Sequence, residues 1–263
     1  TGEVLACVSY PGYDNNRLAN TMDSAYYNKL NTGLANTFYN RATQEKTAPG
    51  STFKMVSATT GLEEGLIDTG TQVLCTGVFD TVTPSPRCWS YPNGHGSLNV
   101  VQALEHSCNV FFYQLGYDLS LDSEGDYDSD IGTDKLAKYA EMFGLGQTSG
   151  VEIPEAEPEI SDEYSIQSAI GQGTNNYTVS QLNRYVTAIA NSGTVYDLTL
   201  IDKTTDSDGN LIRDYEAEVA NTMDDISQTT WDVLHQGMQD MVSSSTTFTG
   251  LEFSMAGKTG TAQ

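Results

Sequence analysis

The sequence predicts a domain of the α+β class, in which helices and hairpins occupy different stretches of the chain. Thr178 and Gln181 form a capping box ahead of a helical apolar periodicity, which predicts a helix ending near Asn191. Asp208-Gly209 lies between two β-rich runs and predicts a hairpin. With 263 residues, of which 38% are hydrophobic, the chain can bury a substantial core. We therefore expect one domain over residues 1–263.

The N-terminal part is predicted from alternation and turn residues. Residues 3–10 are rich in Val and Leu, which predicts a strand that ends at Pro11-Gly12 and holds Cys7 as a buried core thiol. A short helix is expected around Ala25–Leu30 and a short strand over Asn40–Gln44. The remainder of this polar, Asn-rich stretch is expected to form loops.

The later elements follow from caps, apolar spacing and turn signals. A helix is expected over residues 51–64, ended by Gly65, and another over 99–107 with Asn99 as N-cap. Further helices are expected over 110–115 and over 133–143, the latter with Thr133 as N-cap and Gly144 as its end. A last helix is expected where Trp231, Leu234, Met238 and Met241 share one face. The strands of the hairpin are expected over Val195–Ile201 and Leu211–Tyr215.

The cysteines leave two interpretations open. Cys75 and Cys88 bracket a predicted hairpin. One interpretation is a disulfide, which requires that the domain lies outside the cytoplasm. The other is two independent buried thiols. The sequence has no Cys-x-x-Cys, and its histidines, His95, His106 and His235, are dispersed. On this spacing we expect no zinc site.

The acidic stretch 118–134 raises the question of calcium. Asp126, Asp128 and Asp130 alternate as in an EF-hand loop, but Ile131 and Ala137 stand where that loop needs glycine and glutamate. A solvated surface loop is the preferred interpretation.

Over the whole chain, 35 acidic residues against 12 basic ones give a net charge of −23, which argues against nucleic acid or an anionic membrane surface as partner.

The strongest chemical signal is Ser51 followed three residues later by Lys54, behind Pro49-Gly50. Residues three apart share one face of a helix, so the Lys54 amine can reach the Ser51 hydroxyl. An amine that is kept neutral can remove the proton of a serine nucleophile, and the helix N-terminus disfavours a positive charge. The free N–H groups there can also stabilise an oxyanion beside Ser51.

Two further motifs accompany this pair: Ser107-Cys108-Asn109 between two predicted helices, and Lys258-Thr259-Gly260-Thr261 in a run that suits a strand. A rival interpretation takes Cys108 as nucleophile and His106 as base. The order Ser-x-x-Lys, Ser-x-Asn, Lys-Thr-Gly resembles penicillin-binding proteins and serine β-lactamases. Gly94-His95-Gly96 and Gly171-Gln172-Gly173 extend the likeness, which is to class B penicillin-binding transpeptidase domains along nearly the whole chain.

The resemblance implies a fold and a set of roles. The fold is an antiparallel sheet flanked by helices with a mostly helical subdomain, the C-terminal strands and helix being absent from this sequence. Ser51 attacks the D-alanyl-D-alanine end of a peptidoglycan stem peptide, and Lys54 takes its proton. The resemblance also places Lys258 near Lys54, where one cation disfavours the charge of the other. Ser107 relays a proton to the leaving group, and Asn109 orients the substrate amide and Lys54. Lys258 and Thr259 recognise the terminal carboxylate of the substrate. Gly260 lets the strand approach the substrate closely, and the backbone N–H groups of Ser51 and Thr261 form the oxyanion hole.

The same resemblance implies β-lactams as inhibitors, a glycosyltransferase among the partners, and no metal or organic cofactor. It places the protein on the outer face of the cytoplasmic membrane, held by an N-terminal anchor that this sequence lacks. Because the family's sheet pairs the Lys-Thr-Gly strand with strands absent here, we expect residues 254–263 to be held less firmly. The rivals that remain are a serine β-lactamase and a non-catalytic β-lactam sensor.

Overall fold

The computed structural model describes residues 1–261, so Ala262 and Gln263 lie outside the described part, together with that end of the predicted 254–263 segment. The α+β class is confirmed. The α-helices are α1 (Ser24–Thr32), α2 (Lys54–Glu63), α3 (Val100–Glu105), α4 (Asn109–Leu119), α5 (Ser129–Met142), α6 (Ser165–Ser168), α7 (Val179–Ala190) and α8 (Gln228–Ser244). The strands are β1 (Val73–Cys75), β2 (Gly96–Leu98), β3 (Thr194–Tyr196), β4 (Lys203–Thr205), β5 (Leu211–Asp214) and β6 (Val219–Thr222).

The described strands form three separate antiparallel pairs, β1 with β2, β3 with β6, and β4 with β5. In the first pair Val73 is opposite Leu98 and Cys75 is opposite Gly96. The other two pairs each contain an irregularity, after Val195 in β3 and after Thr204 in β4. The core is therefore built mainly from helices.

Helix α2 lies at the centre of that core. Its residues from Lys54 to Gly61 are all buried, and it packs against α4, α5 and α8. Helix α3 packs closely on α8, because Gly237 leaves room for Leu104: a Cβ at Gly237 would lie 2.7 Å from the Cβ of Leu104. The Tyr185 hydroxyl of α7 donates a hydrogen bond to the Thr52 carbonyl at 3.0 Å. This packing fixes the turn that precedes α2.

Helices with clear caps were predicted well. The Thr178 and Gln181 capping box begins α7, and Asn99 with Gln102 forms a second capping box at α3. The prediction for α5 was wrong at its start: Asp128 caps this helix, and Thr133 is buried inside it. Asp128 accepts the Asp130 N–H at 3.0 Å, so one carboxylate of the acidic stretch serves as a helix cap.

The strand predictions were less accurate. Residues 3–10 contribute only an isolated bridge between Glu3 and Thr199, and Cys7 is exposed instead of buried. Residues 41–44 of the predicted strand 40–44 form turns instead. The Asp208-Gly209 hairpin exists, but its first strand is β4; the run 195–201 belongs partly to β3, which pairs with β6. Strand pairing depends on distant partners, which local patterns do not reveal.

Among residues 1–261, no helix is both long enough and apolar enough to cross a membrane.

Candidate active site

Ser51 lies in a tight turn that two glycines make possible. Gly50 has φ +54° and Gly171 has φ +74°, and the Gly50 N–H donates to the Gly171 carbonyl at 3.0 Å. A Cβ at Gly171 would collide with the Gly50 carbonyl, and one at Gly50 would collide with the backbone of Thr261. The chain therefore enters the 3₁₀ turn Gly50–Phe53 pressed between two other segments, with Ser51 half-buried in it.

Lys54 begins α2 and is completely buried. Its Nζ donates to Asn109 Oδ1 at 2.6 Å, to the Ser107 carbonyl at 2.9 Å and to Ser107 Oγ at 3.3 Å. The first two motifs therefore meet in space through this amine, as the sequence predicted. Lys54 follows Ser51 by three residues across the 3₁₀ turn, and its backbone N–H donates to the Ser51 carbonyl. Within residues 1–261 no hydrogen bond joins the Lys54 amine to the Ser51 hydroxyl.

Burial, with the charge of Lys258 as the second cause, lowers the pKa of Lys54 from 10.5 to about 7. The thiols of Cys108 and Cys88 act in the opposite direction. From the sequence we attributed the lowered pKa of Lys54 to the helix N-terminus and, through the family resemblance, to the neighbouring Lys258; the effect of Lys258 is confirmed. The structure assigns the lowered pKa first to desolvation, which removes the water that would stabilise an ammonium ion. At neutral pH a substantial fraction of Lys54 is therefore unprotonated.

The turn between α3 and α4 presents the second motif. Ser107 has φ +52°, a left-handed conformation that is uncommon for residues other than glycine. Cys108 is the N-cap position of α4 and is fully buried, and Asn109 is the first residue of that helix. The turn thus directs Ser107 and Asn109 to one side and Cys108 to the other. Burial of Cys108 removes the rival nucleophile from the cleft.

The third motif lies against the Ser51 turn. A Cβ at Gly260 would come within 3.0 Å of Thr52 Cγ2 and 3.2 Å of the Pro49 carbonyl, so this glycine permits close approach to the turn itself. Lys258 Nζ donates to the Thr259 carbonyl at 3.1 Å, and burial lowers the Lys258 pKa to about 8. No strand ladder includes residues 251–261.

These segments enclose a cleft of about 550 Å³. Its walls contain the predicted Ser51, Ser107, Asn109, Thr259 and Thr261. They also contain His106, which the sequence suggested only as the base of the rival interpretation. Five further lining residues had no predicted role in the site: Trp89, Glu105, Ile170, Met241 and Ser245. Gln172, which the Gly-Gln-Gly motif had brought near the cleft, also lines it, and its Nε2 donates to the Thr261 carbonyl at 3.4 Å.

One cluster beside the cleft was not predicted from the sequence. Cys75, Cys88, His95 and Cys108 place one sulfur or ring nitrogen each within 4.8 Å of one another, a set that could hold a metal ion. All of the cysteines are free thiols, so Cys75 and Cys88 are not joined in a disulfide. The wide sequence spacing concealed this arrangement, because a loop and two strands bring the residues together.

The sequence matches the family described as penicillin binding protein transpeptidase domain over residues 1–263. It is 29% identical to the peptidoglycan D,D-transpeptidase MrdA of Haemophilus influenzae, over 99% of this chain and 41% of that protein. It is 28% identical to MrdA of Escherichia coli K12, over 100% of this chain and 43% of that protein. The chain thus spans about two fifths of the length of these curated relatives.

Solved structures agree with this match. PBP2 of Pseudomonas aeruginosa superimposes with a TM-score of 0.82 at 25% identity, over 100% of this chain and 58% of that one. A chain of a peptidoglycan synthase complex superimposes with a TM-score of 0.82 at 29% identity, over 99% of this chain and 44% of that one.

Proposed function

Because the chain belongs to the penicillin-binding protein transpeptidase family, we propose that it is the catalytic domain of a serine D,D-transpeptidase that cross-links peptidoglycan stem peptides. The observation that carries this proposal is the buried Lys54 amine, hydrogen-bonded to both Ser107 and Asn109 beside a cleft that Ser51 also lines. The two MrdA relatives are named peptidoglycan D,D-transpeptidases. A cleft with these three groups suits acyl transfer.

In the proposed first step Ser51 Oγ attacks the carbonyl carbon of the penultimate D-alanine. Neutral Lys54 takes the hydroxyl proton, and a rotation of either side chain makes the contact that the resting structure lacks. Backbone N–H groups of Ser51 and Thr261 stabilise the oxyanion. The C–N bond then breaks, Ser107 passes a proton to the departing nitrogen, and D-alanine leaves. An ester on Ser51 remains.

In the second step an amine of another stem peptide attacks the ester, loses its proton to the same basic groups, and releases Ser51. Asn109 holds both the substrate amide and the Lys54 amine, while Lys258 and Thr259 offer a cation and a hydroxyl to the terminal carboxylate of the donor. A β-lactam carries a carboxylate and a reactive amide in similar positions, so it would acylate Ser51 and leave slowly.

The proposal extends to surroundings and partners. PBP2 of Pseudomonas aeruginosa was solved in complex with WCK 5153, and a related chain belongs to a peptidoglycan synthase complex. We expect this protein to bind β-lactams and to work with a glycosyltransferase in a cell-wall synthesis complex. Its substrate would place it on the outer face of the cytoplasmic membrane. We also expect residues 1–263 to be one part of a longer protein that has a membrane anchor.

The test uses the full-length protein and a fluorescent penicillin. We expect stable labelling of the native protein and no labelling of Ser51→Ala, with Ser57→Ala labelled as control if it folds. Labelling of Ser51→Ala would contradict the assignment of the nucleophile. Release of the label within seconds, with repeated turnover, would identify a β-lactamase instead. With synthetic stem peptides, cross-linked product should form, whereas stable labelling without product would favour a sensor.

A further inference from the structure

Two side chains that line the cleft have no role in the proposed reaction, Glu105 and Trp89. Glu105 is the last residue of α3, and Trp89 lies in the loop between β1 and β2. Both are joined to His106, because Glu105 precedes it in the chain and Trp89 Nε1 donates to its carbonyl at 3.0 Å. A carboxylate and an indole ring therefore line the cleft at the residues that lead into Ser107.

The Glu105 carboxylate is largely withdrawn from water without a partner that neutralises its charge. Its side chain is 20% exposed, and Oε2 lies 3.9 Å from His106 Nε2, which is too far for a hydrogen bond. Within residues 1–261 no hydrogen bond is donated to this carboxylate. Withdrawing a charge from water is costly unless the charge is paired. A cationic ligand in the cleft would supply that pair.

Trp89 is exposed, yet its ring is held in one orientation. The residue is 66% exposed, while its Nε1 hydrogen bond and an edge-on contact with the His95 ring, 4.9 Å between centroids, fix the indole. A fixed indole offers one surface to a cation and to apolar groups. An amine at the end of an aliphatic chain combines both kinds of group.

The charges of the substrates assign this position to the acceptor. The donor brings a carboxylate to the reacting end, for which Lys258 and Thr259 are proposed, and Glu105 would repel that carboxylate. The acceptor brings an aliphatic amine, which is a cation at neutral pH. Met241, from the C-terminal part of α8, lines the same cleft and can pack against the methylene chain that carries the amine.

We propose that Glu105 and Trp89 bind the amine-bearing side chain of the acceptor stem peptide, and that this amine has no carboxylate on the same carbon. The inference rests on the proposed function and deepens it by naming the class of acceptor. A side chain that ends in an ammonium alone carries one positive charge, which Glu105 attracts. A side chain that ends in an ammonium beside a carboxylate is neutral overall, and Glu105 repels its second group.

Glu105 contributes to binding of the ammonium and not to the attack on the ester. The bound R–NH₃⁺ loses one proton to water and attacks as R–NH₂. As the C–N bond forms and the ester C–O bond breaks, a second proton passes through Lys54 to Ser51 Oγ. Because a carboxylate stabilises the ammonium and not the neutral amine, its effect should appear in the KM of the acceptor more than in kcat.

The test uses the full-length protein and synthetic peptides. The donor ends in D-alanyl-D-alanine, and its side-chain amine is acetylated. The two acceptors differ only in lysine or meso-diaminopimelate at the amine-bearing position. Initial rates of cross-linking at a series of acceptor concentrations give KM and kcat. For the native protein we expect the lysine acceptor to have a KM about tenfold lower, as for a hydrogen bond between charged groups.

Three variants and one control locate the preference. Glu105→Gln should raise the KM of the lysine acceptor about tenfold, remove the preference between acceptors, and change this KM more than it changes the rate of penicillin labelling. Glu105→Asp should restore part of the preference, which a merely structural role would not explain. Trp89→Leu should raise the KM of the lysine acceptor about twofold to fivefold. Glu124→Gln, in an exposed loop, is the matched control and should keep both native KM values.

Three results would overturn the proposal. The first is a native protein that uses both acceptors with equal KM, or the diaminopimelate acceptor with the lower one; this measurement needs no variant to fold. The second is a Glu105→Gln protein that keeps the native preference. The third is a Glu105→Gln protein that slows ester formation from a donor with a free side-chain amine and leaves the acceptor KM unchanged, because the bound cation would then belong to the donor.

The same rates separate this inference from the proposed function. Cross-linked product with either acceptor supports the proposed function, so equal KM values would be a failure of the acceptor assignment alone. Absence of product with both acceptors would be a failure of the proposed function, and the acceptor assignment would fail with it.

Discussion

The two sides of the cleft are held in place in different ways. On one side, Lys54 joins Ser107 and Asn109 through hydrogen bonds in the buried core. On the other, the segment Lys258–Thr261 has no strand ladder, and it is positioned by backbone packing against the Ser51 turn and by the Gly257 N–H, which donates to the Met238 carbonyl at 3.1 Å.

This difference matches what each side is proposed to do. Proton transfer requires groups held within hydrogen-bond distance, and buried partners supply that order before substrate arrives. Recognition of a carboxylate tolerates some movement, because a cation attracts an anion over a longer distance than a hydrogen bond requires. Substitutions on the buried side should therefore cost more activity than substitutions on the exposed side.

The largest effect is expected from Lys54→Met, which keeps most of the buried volume and removes the amine. Loss of a general base lowers the rate of a step by about 10²–10⁴-fold, so acylation of Ser51 by penicillin should slow by that factor. Stopped-flow labelling measures it. Lys29→Met, on the exposed face of α1, is the matched control and should acylate at the native rate. A loss of less than tenfold in Lys54→Met would show that another group takes the proton.

Asn109→Ala should have the next largest effect. It removes the 2.6 Å hydrogen bond from Lys54, and a bond to a charged or partly charged group is worth about 1.5–3 kcal/mol. We expect acylation to slow by about tenfold to a hundredfold, measured with the same assay. Asn183→Ala, at an exposed position of α7, should be unaffected. Equal losses in both variants would point to a general loss of stability instead of a lost contact to Lys54.

The sequence predicted the type of chemistry at the site better than it predicted how distant segments pack around the site. Ser51 and Lys54 were paired by their spacing, and Ser107 and Asn109 were placed in the same site by the family resemblance; the structure brings Lys54, Ser107 and Asn109 into contact. The resemblance implied that Gly260 permits close approach to substrate; its packing against the Ser51 turn and the main cause of the Lys54 pKa were not predicted. Both depend on which distant segment packs against the residue, and a local pattern contains no such information.

The cysteines are a second case in which local sequence patterns did not reveal which distant segments meet. Cys75 and Cys88 were considered as a pair, and Cys108 was considered alone, because their separations in sequence match no familiar metal-binding spacing. Their meeting with His95 depends on the turn at Gly94 and on the start of α4, which are tertiary features. The expectation that these residues lie apart used sequence spacing as a substitute for distance, and the structure brings their side chains together.

The pH dependence of acylation should reveal the buried side of the cleft. Lys54 accepts a proton only when it is neutral, and its pKa of about 7 lies well below that of a free lysine. Below that pH the rate should fall about tenfold per pH unit, and above it the rate should level off. Labelling rates between pH 5 and 9 measure this. A rate that continues to rise up to pH 9 would mean that the amine is charged at neutral pH.

The smallest effect is expected from Lys258→Ala, on the exposed side. The charge of Lys258 lowers the pKa of Lys54, so its removal should raise that pKa and move the pH profile of acylation to higher pH. Loss of a partly exposed cation should also weaken binding of a carboxylate-bearing donor roughly fivefold, because such pairs contribute up to about 1 kcal/mol. The maximal rate at high pH should change little. Lys203→Ala, an exposed lysine in β4 far from the active-site motifs in sequence, controls for net charge. An unchanged pH profile in Lys258→Ala would show that the charge of Lys258 does not affect the pKa of Lys54, and it would leave burial as the cause of that lowered pKa.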